Sequence, residues 1–165
     1  MSGPTIPAES IPPDEVAAVI ARLRSFPELL EFCPDDPPSG SPPRIVKRIG
    51  GRFHDVPADW KGLAIAVLGA GGFGPDLYVP TDQPRVAVYC YAKQGHRAAL
   101  LARMAIAALT PPDRAGEAFT AANCRVIDIW QVGGMVAGYD DDNLVEYRVV
   151  SFELLKHQLP VEVSL

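Results

Sequence analysis

Four groups of residues have types and spacings that could do chemistry. Gly69-Ala70-Gly71-Gly72-Phe73-Gly74 has the spacing G-x-G-x-x-G and follows an apolar run, the position of a dinucleotide-binding turn. In such a turn the glycines let the backbone approach a pyrophosphate, and a helix opening inside them aims its N–H groups at the negative charge. Here Pro75-Asp76-Leu77-Tyr78-Val79-Pro80 follows, which offers no helix start, and no acid stands where a ribose would need one. The motif reads as a strand-to-strand loop, with a nucleotide-binding enzyme as the minor alternative.

Asp140-Asp141-Asp142-Asn143 concentrates the oxygen ligands that hard cations prefer, but it lacks the D-x-D-x-D-G order and a spaced Glu. Consecutive aspartates point in different directions, so an acidic, solvated turn is the reading, with a weak cation contact as the minor alternative. His54, His96 and His157 are far apart and have no H-x-x-x-H partner, so no metal site is expected. Cys33, Cys90 and Cys124 are odd in number and lack C-x-x-C spacing, which argues against a disulfide framework or zinc site and for buried thiols. Cys90 paired with a distant His as nucleophile and base is outweighed by its place on the alternating face of Val86 and Val88. With no G-x-S-x-G elbow either, no catalytic, cofactor-binding or metal-binding residue is assigned. The fourth group is Arg85, Tyr89 and Tyr91, on the opposite strand face. Either a helix covers that face or a partner does, since Tyr and Arg are favoured at contact centres.

The elements that must position these groups follow from periodicity. Residues 1–13, with Pro4, Pro7, Pro12 and Pro13, read as an N-terminal arm, apart from the two last prolines, which suit a first helical turn. Val16, Val19, Ile20, Leu23 and Phe26 recur at helical spacing, and Pro27 separates off a short turn that still buries Leu29, Leu30 and Phe32. The segment 34–43, PDDPPSGSPP, must be a loop. Arg44–Arg52 reads as a modest strand and Leu63–Leu68 as a strand covered on both faces. After a loop over 69–84, Arg85–Ala92 alternates as a half-buried strand.

His96–Leu109 is a helix whose face is Leu100, Leu101, Met104, Ala105 and Ala108, stopped by Pro111 and Pro112. Strands Cys124–Val132 and Leu144–Lys156, joined by 133–143, form an antiparallel hairpin, with 158–165 as a C-terminal tail. The expected order is α-β-β-β-α-β-β, one domain over 14–157. Its fold class is α+β, a mixed and mainly antiparallel sheet with two helices packed on it.

Composition narrows the function. The 165 residues fit one domain and exclude two large ones, and 15 Lys+Arg against 20 Asp+Glu give a charge of −5, so a dedicated DNA-binding module is not expected. At 48% hydrophobic the chain is too apolar for disorder, while 17 prolines and 14 glycines imply stiff connections. The longest uncharged apolar run, 63–73, is well short of the ~20 residues of a membrane span. The N-terminus lacks secretory features, so a cytosolic protein that does not enter the membrane is expected.

Three stretches carry a resemblance: EVAAVIARLRSF as an opening helix, QPRVAVYCYAKQGHRAALLARMAIAAL as a strand running into a helix, and CRVIDIWQVGGMVAGYDDDNLVEYRVVSFEL as a closing hairpin. Together, over 14–157, they resemble the tail-terminator, or tail-completion, proteins of long-tailed phages. The proline loop 34–43 and the glycine loop 69–84 depart from that pattern. The resemblance implies a structural virion protein without enzymatic activity or cofactor. Such a subunit assembles with itself into a ring, commonly a hexamer, on the head-proximal end of the tail tube. The ring stops tube growth and offers a surface to the head-completion or connector protein, while DNA passes through its lumen without specific binding. The protein would reside in the host cytoplasm during assembly and then in the neck of the virion. Another neck component, such as a head-closure protein, is the neighbouring alternative. Arg85, Tyr89, Tyr91, Asp140, Asp141 and Asp142 are the candidate interface residues.

Overall fold

The structure, a computed structural model, describes residues 14–53, 60, 62–73, 81–110, 118–122 and 124–157. The expected N-terminal arm, the C-terminal tail, His54, the helix-stopping Pro111 and Pro112 and the last glycine of the G-x-G-x-x-G motif lie outside these residues.

Helix α1 spans Glu15–Arg24. It starts because the Asp14 carboxylate accepts the Ala17 N–H at 3.0 Å, and Glu15 at its N-terminal end and Arg22 and Arg24 at its C-terminal end complement the dipole. Pro27 then occupies the first turn of a separate helix α2, Pro27–Phe32, which buries Leu29. Strand β1 is only Ile49–Gly50. Strands β2, Leu63–Phe73, and β3, Thr81–Ala92, precede helix α3, Gly95–Leu109. Strands β4, Phe119–Ala121, β5, Cys124–Asp140, and β6, Val145–His157, complete the chain.

The strands form one six-stranded sheet in the order β1-β2-β3-β6-β5-β4, with β1 parallel to β2 and every other pair antiparallel. The fold class is therefore α+β, as expected from periodicity. Register places Val67 opposite Val88, Val88 opposite Val150 and Val86 opposite Phe152, so one face of three central strands is continuous hydrocarbon. Phe152, Ile65, Val86 and Val88 are fully buried there with Val19 and Leu23 of α1 and Leu101 of α3. Burying each such side chain contributes roughly 1.5–3 kcal/mol.

Two ion pairs tie the proline-rich segment to this body. Arg24 meets Asp35 at 2.7 and 2.9 Å. Arg48, almost fully buried, meets Asp36 at 2.7 and 2.5 Å. On the other side, Lys156 of β6 reaches Glu15 of α1 at 2.8 Å and closes the sheet against that helix.

Several boundaries differ from expectation. The strand over 44–52 shrinks to Ile49–Gly50, because only Ile49 is buried on the core while Arg48 turns to Asp36. The loop over 69–84 is in part strand: β2 runs to Phe73 and β3 begins at Thr81. The join over 133–143 is mostly strand too, since β5 continues through Gly133 and Gly134 to Asp140 and turns only at 141–144. On α3 the buried face consists of Ala98, Leu101, Ala102, Ala105, Ala108 and Leu109, whereas Leu100 is 45% exposed. Small alanines let the helix lie close to the sheet, which rotates the contact stripe away from Leu100. With α2 and β4 added, the order is ααβββαβββ.

Candidate interaction surface

The glycine motif is the first site to place. A phosphate-binding turn needs a helix immediately after its strand, but Gly69, Gly71 and Gly72 lie within β2, which pairs antiparallel with β3. The register slips between Gly69 and Gly72, and the bulge uses positive φ values of 85° at Gly71 and 124° at Gly72. A Cβ on Gly72 would collide with the backbone of Gln83, Pro84 and Arg85. The glycines are required by close strand packing at a bulge, so the described part of the motif has the wrong geometry for a dinucleotide.

The three cysteines are buried and none is in a disulfide. The Cys33 thiol donates to the Leu63 carbonyl at 3.2 Å. Burial pushes its pKa up to about 12 and that of Cys90 upward as well, so neither is a poised thiolate. His96 is exposed at the start of α3 and His157 falls at the end of β6. Among the described residues no group of three or more His, Cys, Asp or Glu could hold a metal ion, and no helix is long and apolar enough to cross a membrane. A hollow of about 290 Å³ lies at the start of α3, lined by Gly62, Ala92, Lys93, Gln94 and Arg97.

The face of the sheet turned away from the helices is aromatic. Alternation along β3 sends Tyr89 and Tyr91 there, and register sets Tyr147 of β6 directly opposite Tyr91. Ring centroids are 6.2 Å apart for Tyr89–Tyr91, 5.6 Å for Tyr91–Tyr147 and 5.8 Å for Tyr89–Tyr147. Phe53 stacks on Tyr91 at 4.0 Å and meets Trp60 edge-on at 6.2 Å, and the Arg48 guanidinium lies 5.3 Å from the Trp60 ring. Phe53 and Trp60, rather than a helix, shelter part of this face. Burial, then the nearby Asp140 charge, pushes the Tyr91 phenol up to about 12.

Arg85 is on the same face but further along β3, where it pairs with Glu153 at 3.4 Å. Tyr89, Tyr91 and Asp140 are therefore brought into one neighbourhood and Arg85 is not. Asp140 itself organises the turn: its carboxylate accepts the N–H groups of Asp142 and Asn143 and the Asn143 amide at 3.0–3.1 Å. The side-chain bond from Asn143 leads in holding its pKa below the usual carboxylate value. Asp141 and Asp142 are exposed.

Beyond these residues, the structure singles out the distal half of the β5–β6 hairpin. β4 pairs with β5 only up to Val126, so among the described residues the outer edge of β5 from there to Asp140 has no strand beside it. No β5 residue after Ile129 is buried. Val136 and Tyr139 are 62% and 51% exposed, and Leu144, in the turn, is 67% exposed at φ 54°. A left-handed φ costs a leucine roughly 1–2 kcal/mol. That conformation closes the turn and returns the chain to register at Val145, while the leucine side chain stays in solvent. Tyr147 joins the group only through the pairing of β6 with β3, and Val136, Tyr139 and Leu144 look like ordinary strand residues until the edge is seen to be open.

The chain matches no protein-family model and has no significant match among curated proteins.

Proposed function

We propose that this chain is a structural subunit of a phage-type tail terminator. Copies form a ring, most simply a hexamer, that caps the head-proximal end of a tail tube, stops its polymerisation and presents a joining surface to the head-completion or connector protein. The observation that carries the reading is the distal hairpin arm, with its open edge and its exposed Val136, Tyr139 and Leu144. Exposed hydrocarbon beside an open strand edge is the kind of surface that a protein partner covers. The aromatic face with Tyr89 and Tyr91 is the next candidate contact, bordered by the turn Asp140–Asp142, with Arg85 a further candidate farther along β3. The net charge of −5 suits a ring through which DNA passes without adhering. On this reading the protein assembles in the host cytoplasm and ends in the virion neck.

The test is tail length. Particles assembled without the chain should carry tubes that overrun their normal end or fail to join heads, and added purified protein should restore both. Normal tails in its absence would remove the proposal. A head-closure role, the neighbouring reading, would leave tail length normal and block joining alone.

A further inference from the structure

The two edges of the sheet have opposite character. From Val126 to Tyr147 the hairpin contains Asp128, Asp140, Asp141, Asp142 and Glu146 and no Lys or Arg. From 44 to 52, at the β1 edge, the chain reads RIVKRIGGR, with four cations and no acid. Arg48 is turned inward to Asp36, which leaves Arg44, Lys47 and Arg52 exposed, together with Ile45 at 58%. The two groups sit four strand steps apart, about 19 Å across the sheet at ~4.8 Å per step. Within one chain, among the described residues, no ion pair joins the hairpin's acids to Arg44, Lys47 or Arg52. Of the six exposed large hydrophobic residues among the described ones, Val136, Tyr139 and Leu144 lie on the arm and Ile45 lies on the basic edge, so both surfaces combine charge with bare hydrocarbon.

We infer that the partner of the hairpin arm is a second copy of this chain, and that the contact runs from the acidic arm of one copy to the basic 44–52 edge of the next. Asp141 and Asp142 meet Arg44, Lys47 and Arg52, and Val136, Tyr139 and Leu144 cover Ile45. The open β5 edge supplies unpaired N–H and C=O groups along the same line, whereas the 44–52 side, whose backbone already bonds to Ser39, Asp36, Asp35 and Arg24, meets it through side chains. Because the two surfaces differ, each copy uses both, and the association is head-to-tail, the kind that closes into a ring. This rests on the ring-cap reading for its purpose but stands on its own geometry.

Two sets of variants test it. Asp141→Lys with Asp142→Lys, and separately Lys47→Glu with Arg52→Glu, should each weaken self-association, by up to about fivefold per reversed charge. Mixing the two, or combining all four changes in one chain, should restore it because every contact is again complementary. In parallel, Lys47→Cys with Asp141→Cys should give a ladder of disulfide-linked multimers under mild oxidation, in solution or on purified tubes. The native cysteines are buried and should add nothing to that ladder. A ladder and charge-swap rescue support the contact. Unchanged association in both reversed variants, no ladder in either setting, or dimers alone through Asp141→Cys by itself would overturn it. If the ladder forms but tail length never depends on the chain, the contact stands and the capping function fails. If capping persists in variants that do not cross-link, the reverse holds.

Discussion

Replacing Gly72 by alanine separates a structural glycine from a ligand-binding one. Its φ of 124° lies in a region that only glycine occupies without strain, so the backbone term is about 1–3 kcal/mol. The added Cβ also collides with the backbone of Gln83, Pro84 and Arg85, and no side-chain rotation relieves a backbone contact. The chain's alternative is to unzip the end of the β2–β3 ladder, where Gly72 pairs with Pro84 and Phe73 with Gln83, at a net cost of about 1 kcal/mol per hydrogen bond lost. The smaller response sets the outcome, so Gly72→Ala should destabilise by about 2–4 kcal/mol. At 2–4 °C per kcal/mol for a domain of this size, Tm falls by roughly 4–16 °C. Gly71→Ala is the control: φ is 85° but nothing lies within 4 Å of its Cβ, so about 1 kcal/mol is expected. Thermal and urea unfolding of the three proteins measure the difference, and millimolar ATP or NAD should leave every Tm unmoved. Equal effects at Gly71 and Gly72, or a nucleotide-induced rise in Tm lost in either variant, would refute the bulge account.

Asp36→Asn should cost about 2–3 kcal/mol, because it leaves the buried Arg48 guanidinium uncompensated while Asp36 itself is partly solvated; adding Arg48→Met should recover most of the loss, as read by urea unfolding in a double-mutant cycle. In an ultraviolet phenolate titration one tyrosine should ionise late, near pH 12, and vanish in Tyr91→Phe; Asp140→Asn should lower it only in part, since burial is the leading cause. The raised phenol pKa means that this contribution to stability is whole below the ordinary value near 10 and is lost as pH climbs toward 12. Asp35 shifts the other way: its hydrogen bonds with Arg24 hold the carboxyl low, so its contribution is present above the ordinary carboxylate pKa and lost as pH falls through the folded value. Urea midpoints compared at about pH 6 and pH 3 should therefore drop further in the parent than in Asp35→Asn.

Local order was legible where one period dominated. The alternation of Val86, Val88 and Cys90 against Tyr89 and Tyr91 marks β3 and its two faces without any structure. The spacing of Val19 and Leu23 after Asp14 does the same for α1, and Pro27 announces a break. Such features depend on neighbours within a few residues, so the sequence carries them directly. It also determines the imbalance of charge along the chain, with the basic run at 44–52 and the acidic run after 126.

The rest required the sheet. Whether Gly133 and Gly134 end a strand or bend one depends on whether β6 continues beside them, and it does, with a register slip between Val132 and Val136. Whether Leu100 or Ala102 is buried depends on how closely α3 approaches the strands. Phe53 and Trp60 join Tyr91 only because the chain after β1 folds over the sheet. Which strands are left at the edges is a property of strand order, a long-range choice among pairings that local residues do not encode. That choice separates the acidic arm from the basic edge by the width of the sheet.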